Sequence, residues 1–449
     1  MGSVGGAGGG VGGVTAAKVG GRPAPGAYFA RIDSLTQIVL GAAVGELAAG
    51  RRLGNRAMIW GAVAGTIPDF DVAAGLVADP VTNLAFHRCV THSLYFAALV
   101  SPVLAWMARA LYARDGQPRG GYPWRTWLPG ALAVYAVVVA GSFASPTPLR
   151  GVWAYAAVVA GVTAAYPLLV WAFRRLRPRR SGPQVGYRHW LALFALGIGT
   201  HPLLDCFTTY GTQVLQPFDD LRVAWNTISV ADPAYTLPLL ALLLVASRAL
   251  RQNAWRRRLT WAGLAVSTAY LAFTVYNLTR VRAQVARDLA EARVPYERFH
   301  ATPTLLQNVL WSVTVDQGDT LLATRIGLLD EPFRLPLDYA RGGLTDEVLA
   351  FPQRDRLLDP IRDERAVRVA TWFSDGYYAV SRAAGDTLEL VDLRFGVLPA
   401  EGASPVFGFQ FYPPEAAGAE WGFRQRPFRD DLDAGELFGS LWRRIWGRD

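Results

Sequence analysis

The chain has 449 residues and a mass of 48.9 kDa, more than one ordinary domain of about 100–200 residues, so two or more units are expected. It is 51% hydrophobic and only 18% charged, with a mean hydropathy of +0.18; soluble proteins carry about 25% charged residues, and a purely soluble enzyme is disfavoured. The formal charge of +9 is unevenly spread, the first 280 residues carrying 25 Arg and Lys against 10 Asp and Glu and the remainder 20 against 26. The N-terminal cations stand in short clusters between apolar runs, as on the cytoplasmic side of a membrane protein. No basic stripe interleaved with aromatics is visible, so no nucleic-acid partner is expected.

The Gly-rich start lacks the charged and apolar regions of a signal peptide, and residues 1–30 read as a flexible tail. Apolar runs follow at 35–49, 57–77, 92–111, 128–144, 152–173, 190–207, 234–250 and 259–278. A bilayer core needs roughly 20 mostly apolar residues. The run at 35–49 is short and contains Glu46, which fits an interfacial or re-entrant helix as well as a span, so seven or eight spans are expected.

Arginine clusters follow alternate runs: Arg51, Arg52 and Arg56; Arg114, Arg119 and Arg125; Arg174 to Arg188; and Arg251 to Arg258. The positive-inside rule assigns these connections to the cytoplasm. Segments 79–87, 145–151 and 208–232 then face outward, and the chain beyond the last run emerges there too. Residues 281–449 are acidic, with short alternating pieces such as 388–395 and 407–411 between Gly, Pro and Asp, a pattern of strands and turns. The expected fold is mainly α, a polytopic transmembrane helical bundle over 31–280, with a small extracytoplasmic soluble domain, β-rich or α+β, over 281–449.

Four polar features interrupt the apolar background. Ile67-Pro68-Asp69-Phe70-Asp71 sets two carboxylates together near the outward end of the second run, an arrangement that calls for a compensating cation or proton. A polar helix end with a capping Asp is the plainer alternative. His87-Arg88-Cys89-Val90-Thr91-His92 precedes the third run. An i,i+5 pair lies about 140° apart on a helix, so His87 is expected in the entering loop and His92 on the first turn, where a bend could still converge both on one ion. His201 and Asp205 have i,i+4 spacing, which lays two donors on one helical face; Pro202 fits if His201 opens a helical turn. These six acids and imidazoles all fall near the outer membrane face, and three of only five histidines are among them. Ionisable groups inside a membrane mark a site or pathway. The fourth feature, Gln216 to Asp220 followed by Arg222, Trp225, Asn226, Thr227 and Asp232-Pro233, is read equally as an oxyanion-orienting loop or as interfacial anchors.

Cys89 and Cys206 adjoin these groups, and a small apolar role is preferred over metal ligation or a disulfide. Ser93 lacks a nucleophile elbow.

Asp33-Ser34-Leu35-Thr36, Gly65-Thr66-Ile67-Pro68-Asp69-Phe70-Asp71, His87-Arg88 with Thr91-His92-Ser93, and Thr200-His201-Pro202-Leu203-Leu204-Asp205 through Gly211 resemble the bacterial YdjM-like membrane-bound metal-dependent hydrolases. The acidic tail is similar to the extension of a longer branch of that family, around Asn308 to Trp311 and Asp392 to Phe395. The resemblance implies an integral protein of the bacterial inner membrane with a metal-dependent hydrolytic site. Two departures stand out: Gln37 where the family commonly has His, and Cys89 where it commonly has Gly.

The expected metal ligands are drawn from Asp69, His87, His92, His201 and Asp205. Asp71 is expected to orient or deprotonate water, and Arg88 to stabilise developing negative charge. The cofactor is a divalent metal, zinc first, with manganese or iron as alternatives. Membrane lipids are the expected partners, and a lipid, lipid-linked phosphate or envelope ester the expected substrate. A metal- or proton-coupled transporter and a non-catalytic membrane scaffold are the competing readings.

Overall fold

The structure, a computed structural model, describes residues 26–76, 79–112, 129, 132–134, 136, 138–140, 185–353, 355–397, 405–414, 420–425 and 434–446. Residues 1–25 of the expected tail and the run at 152–173 lie outside the described residues. So do most of the run at 128–144 and the arginines from Arg114 to Arg180.

Helix α1 (Gly26–Leu53) begins inside the expected tail and turns into α2 (Asn55–Thr66) through Gly54, whose φ of 62° suits a residue without a side chain. The two helices are spaced by glycines four apart, Gly41 and Gly45 against Gly61 and Gly65. A methyl group on Gly41 would strike the Gly61 carbonyl, and one on Gly65 the Gln37 carbonyl, so the backbones lie in direct contact. This is the small-residue packing of membrane helices. Glu46 is buried against Arg256, which grips it at 2.5 and 2.6 Å.

The expected second span is interrupted. Helix α2 ends at Thr66 and a 3-10 segment (Pro68–Leu76) continues the chain, because Pro68 has no N–H to extend the α ladder. Its 12 residues cover about 18 Å. After α3 (Pro80–Phe86), a 3-10 turn (Val90–His92) leads into α4 (Leu94–Leu111). Helices α5 (Tyr187–Asp205), α6 (Pro233–Arg248) and α7 (Ala254–Glu291) follow among the described residues. Trp190 and Phe194 of α5, Phe96 and Val100 of α4, and Ala57 and Ala64 of α2 share one core.

Among the described residues one helix, α7, is long and apolar enough to cross a membrane; α3 with its 3-10 turn and α4, bent by 61°, would make a second if they act as one span. Trp261, Val266, Phe273 and Tyr276 stand exposed along α7, an apolar surface suited to lipid. With 38 residues α7 is about 57 Å long, well beyond a hydrocarbon core of about 30 Å. Its second half carries Val281, Val285 and Leu289 into the C-terminal region, against Trp311, Val313 and Ile326.

That region holds two four-stranded antiparallel sheets. The first runs in order β1 (Arg298–Pro303), β2 (Leu310–Asp316), β3 (Thr320–Gly327) and β4 (Leu349–Pro352). The second runs in order β5 (Tyr378–Arg382), β6 (Leu388–Val397), β7 (Pro405–Tyr412) and β8 (Gly422–Gln425). They meet where Leu321 of β3 packs on Val391 and Leu393 of β6. Helix α8 (Arg365–Ser374) lays Val367, Ala370 and Phe373 on the second sheet; α9 (Ala434–Ile445) packs Leu441 on Leu310 at the start of β2.

The extension is welded to the face where 79–87 and 208–232 emerge. Val81, Leu84 and Ala85 of α3 belong to the same core as Phe373, Phe409 and Phe411. Arg365 donates to Asp79 and to Thr82 Oγ1 at 2.7 Å. Asn308 donates to Thr227 O at 2.7 Å and accepts from Asn277 of α7 at 2.8 Å.

Candidate metal centre

Asp69, Asp71 and His92 sit where helices are broken, while His201 and Asp205 lie on the last turns of α5. Pro68 starts the 3-10 segment that presents Asp69 and Asp71. The chain re-enters after α3 through Arg88, a non-glycine residue at φ 62°, a conformation that costs about 1–3 kcal/mol and persists only where its surroundings over-determine it. Those surroundings are specific. The Arg88 N–H donates to Asp71 Oδ2 at 3.0 Å, its carbonyl accepts from Gln213 N at 3.0 Å, and Nη1 donates to Thr208 Oγ1 at 2.9 Å. The turn delivers His92. From α5 come His201 and Asp205, one helical turn apart; Pro202 lies inside the helix rather than at its opening.

Four atoms converge: Asp69 Oδ1, His92 Nε2, His201 Nε2 and Asp205 Oδ2. The two nitrogens are 3.1 Å apart. Asp69 Oδ1 is 3.5 Å from His92 Nε2 and 3.3 Å from His201 Nε2; Asp205 Oδ2 is 3.5 and 3.3 Å from the same atoms. Asp69, His92 and His201 thus form a three-residue cluster whose ligand atoms all lie within 4.8 Å of one another. His92, His201 and Asp205 are buried.

The hydrogen bonds behind the rings set their orientation. His201 Nδ1 donates to the Gly65 carbonyl at 2.5 Å. His92 Nδ1 lies 3.3 Å from Asp71 Oδ2 and 3.2 Å from Thr91 Oγ1, placed to donate to the carboxylate. The two Nε2 atoms meet at hydrogen-bond distance, 3.1 Å, flanked by two carboxylates. Asp205 Oδ2, although buried, accepts no hydrogen bond. Two imidazoles and two carboxylates packed this closely call for compensating positive charge, which protons on the rings or a bound divalent cation supply. Two imidazole nitrogens and two carboxylate oxygens suit zinc-like ions, and manganese or iron also accept this donor set.

The remaining residues singled out from the sequence hold other places. Asp71 stands behind His92, and its two oxygens meet His87 Nδ1 at 3.1 Å, the Arg88 N–H, Thr91 Oγ1 and His92 Nδ1. His87 therefore joins through Asp71 and stands outside the convergent group. The Arg88 guanidinium is 3.5 Å from Asp205 Oδ2. Arg222 turns toward the extension, donating to Tyr210 O at 2.6 Å with its guanidinium against Tyr210, Trp372 and Phe373; burial pushes its pKa down to about 10, with Arg394 and Arg88 adding to the shift. Asn226 donates to Ala224 O, and Trp225 packs on Phe207. Cys89 and Cys206 are buried and are not joined in a disulfide. Ser93 Oγ donates to Val90 O and accepts from Phe96 N, a helix cap.

Two contributors were not singled out as site residues from the sequence. Gln37 Nε2 donates to Asp205 Oδ1 at 2.8 Å and to His201 O at 3.3 Å, and the Gly65 carbonyl orients His201. Gln37 gave one signal, as the departure from the family's commoner His. Gly65 acts through its backbone and gave none.

No curated protein and no solved structure matches the chain. The profile of one family, described as YdjM inner membrane protein, matches residues 32–281, more than half of the sequence and every residue of the convergent group. The chain belongs to the YdjM inner membrane protein family, is a membrane protein, and carries beyond the family's region an extension built on two antiparallel sheets.

Proposed function

We propose that the protein is a multi-pass inner-membrane hydrolase in which Asp69, His92, His201 and Asp205 hold a divalent ion, zinc first and manganese or iron as alternatives. The domains divide near residue 280, and the extension lies on the extracytoplasmic side, as the arginine clusters indicate. The observation that carries the reading is the convergence of Asp69, His92 and His201, from three separate segments, on one point beside the buried Asp205.

Such an ion supplies Lewis-acid chemistry, polarising a phosphoryl or carbonyl group and acidifying water. The chain supplies the rest. Asp71 and the Gly65 carbonyl fix the tautomers and ring planes of His92 and His201, the outer-shell arrangement that raises imidazole basicity. Gln37 holds Asp205 by its other oxygen. The Asp69 side chain is 20% exposed while the two imidazoles are at most 1% exposed, so substrate approaches from the Asp69 side. A narrow, water-sized crevice lined by Leu204, Thr208, Ile228 and Tyr235 also reaches Asp205. Arg88 is placed to meet negative charge developing on a scissile group. A membrane-embedded site favours a lipid, a lipid-linked phosphate or an envelope ester.

The test is hydrolysis of lipid phosphates and lipid esters by the full chain in nanodiscs, wild type against folded His92→Ala/His201→Ala. Metal-dependent product release that the double variant loses supports the reading. Metal binding without turnover of either class would favour a transport or scaffold role.

A further inference from the structure

We infer that helix α9 is an interfacial anchor that holds the extension down on the phospholipid headgroup layer of the bilayer crossed by α7. The first observation is the roll of the helix. Leu441 is buried and, with Ile445, packs on Leu305 and Leu310, while Arg444 is clamped by Asp330 at 2.6 and 3.0 Å. These contacts turn Trp442 and Trp446, one helical turn apart, away from the sheet. They pack edge to face at 5.8 Å and remain 64% and 55% exposed, with Arg443 exposed between them. Two adjacent large aromatics in water are unfavourable, and the same rings are favoured at headgroup level.

The second observation is height. Leu305 and Leu310 lie at the end of the first sheet that meets the helical part: Leu306 N donates to Ser229 Oγ and Asn308 bonds Asn277 of α7. From Ala254 to Asn277, α7 rises about 36 Å, slightly more than a hydrocarbon core of about 30 Å. Asn277 therefore marks the level where α7 leaves the bilayer, and α9 is seated at that level. Phe273 and Tyr276 of α7 and Trp225, two residues before the Thr227 that Asn308 bonds, are also exposed. Together with the tryptophan pair they compose an aromatic belt. Arg443 adds a cation suited to a lipid phosphate.

The inference requires a membrane protein and no hydrolytic activity, so it stands or falls separately from the proposed reaction. The test places a nitroxide on Trp446→Cys in the full chain in phosphatidylcholine and phosphatidylglycerol nanodiscs; Cys89 and Cys206 are buried and do not compete for the label. A second label on Arg443→Cys keeps both tryptophans. The water control is Asp319→Cys, exposed in the hairpin at the opposite end of β2 and β3. Collision with oxygen should exceed collision with a water-soluble nickel chelate several-fold at 446 and 443, with the reverse at 319. Free access of the chelate to 446 and 443 would overturn the anchor, and shielding from both reagents would overturn it in favour of a protein partner or second copy.

Discussion

Arg256 of α7 holds Glu46 of α1 through two charge-assisted hydrogen bonds, Nε to Oε1 at 2.6 Å and Nη2 to Oε2 at 2.5 Å, and its third nitrogen donates to Asn55 at 2.6 Å. Both side chains are almost fully buried. A carboxylate in the first apolar run, which in isolation suggests a helix lying at the interface, is thus one half of a bidentate pair that ties three helices. Removing one partner of such a pair leaves an uncompensated buried charge, at a cost of about 3–5 kcal/mol. Arg256→Met should lower the unfolding midpoint sharply in a detergent melt, and Glu46→Leu/Arg256→Met should recover most of the loss.

The α1–α2 contact permits no side chain at its crossing points. Gly61→Ala would drive its methyl group into the Gly41 carbonyl, which is backbone and cannot rotate aside. Overpacking of this kind costs about 1–3 kcal/mol. The same shift moves the Gly65 carbonyl away from His201. Gly61→Ala should therefore weaken metal retention as well as lower the melting point, whereas Gly199→Ala, where an added methyl meets nothing within 4 Å, should do neither.

His300 in β1 has a buried Nε2 without a hydrogen-bond partner. Burial, with Arg394, Arg282 and Arg298 nearby, pushes its pKa down to about 3 from the ordinary 6.5. The unfolded chain accepts a proton that the folded chain refuses between those values, so stability falls as pH is lowered from 6.5 toward 3. His300→Gln should flatten that part of the pH–melting profile. An unchanged slope would remove His300 from the account.

Asp71 stands behind His92, 3.3 Å from its Nδ1. Asp71→Asn keeps the shape and removes the charge that holds the His92 Nδ1 proton, and loss of such an outer-shell partner typically weakens metal affinity 10–100-fold. Gln37→Ala, which frees Asp205 Oδ1, should act in the same direction. Competition with a chelator of known affinity measures both, and wild-type affinity in each would leave the two residues a structural role only.

The helices at 26–53, 187–205, 233–248 and 254–291 cover all or nearly all of four of the apolar runs read from composition, because an apolar stretch between arginines carries its own signal. The strands at 388–397 and 405–412 were legible through alternation and turn residues. Asp69, His92, His201 and Asp205 could be named because carboxylates and imidazoles are rare in an apolar background. Their separation from His87 and Asp71 could not, since it depends on a turn at Arg88 with a φ that ordinary residues avoid. The docking of α3 into the core of the second sheet was equally hidden: Val81, Leu84 and Ala85 look like any short apolar piece, and their partners lie nearly 300 residues away. Long-range pairing of that kind leaves no local pattern.

The central claim is that the two facing imidazoles and two carboxylates hold a metal. The most direct test is elemental analysis of the full chain after mild detergent purification, with zinc, manganese and iron counted per chain, beside a folded His92→Ala/His201→Ala variant. The account predicts near-stoichiometric metal in the wild type and its loss in the variant; a wild type that binds none of the three after controlled reconstitution would contradict it.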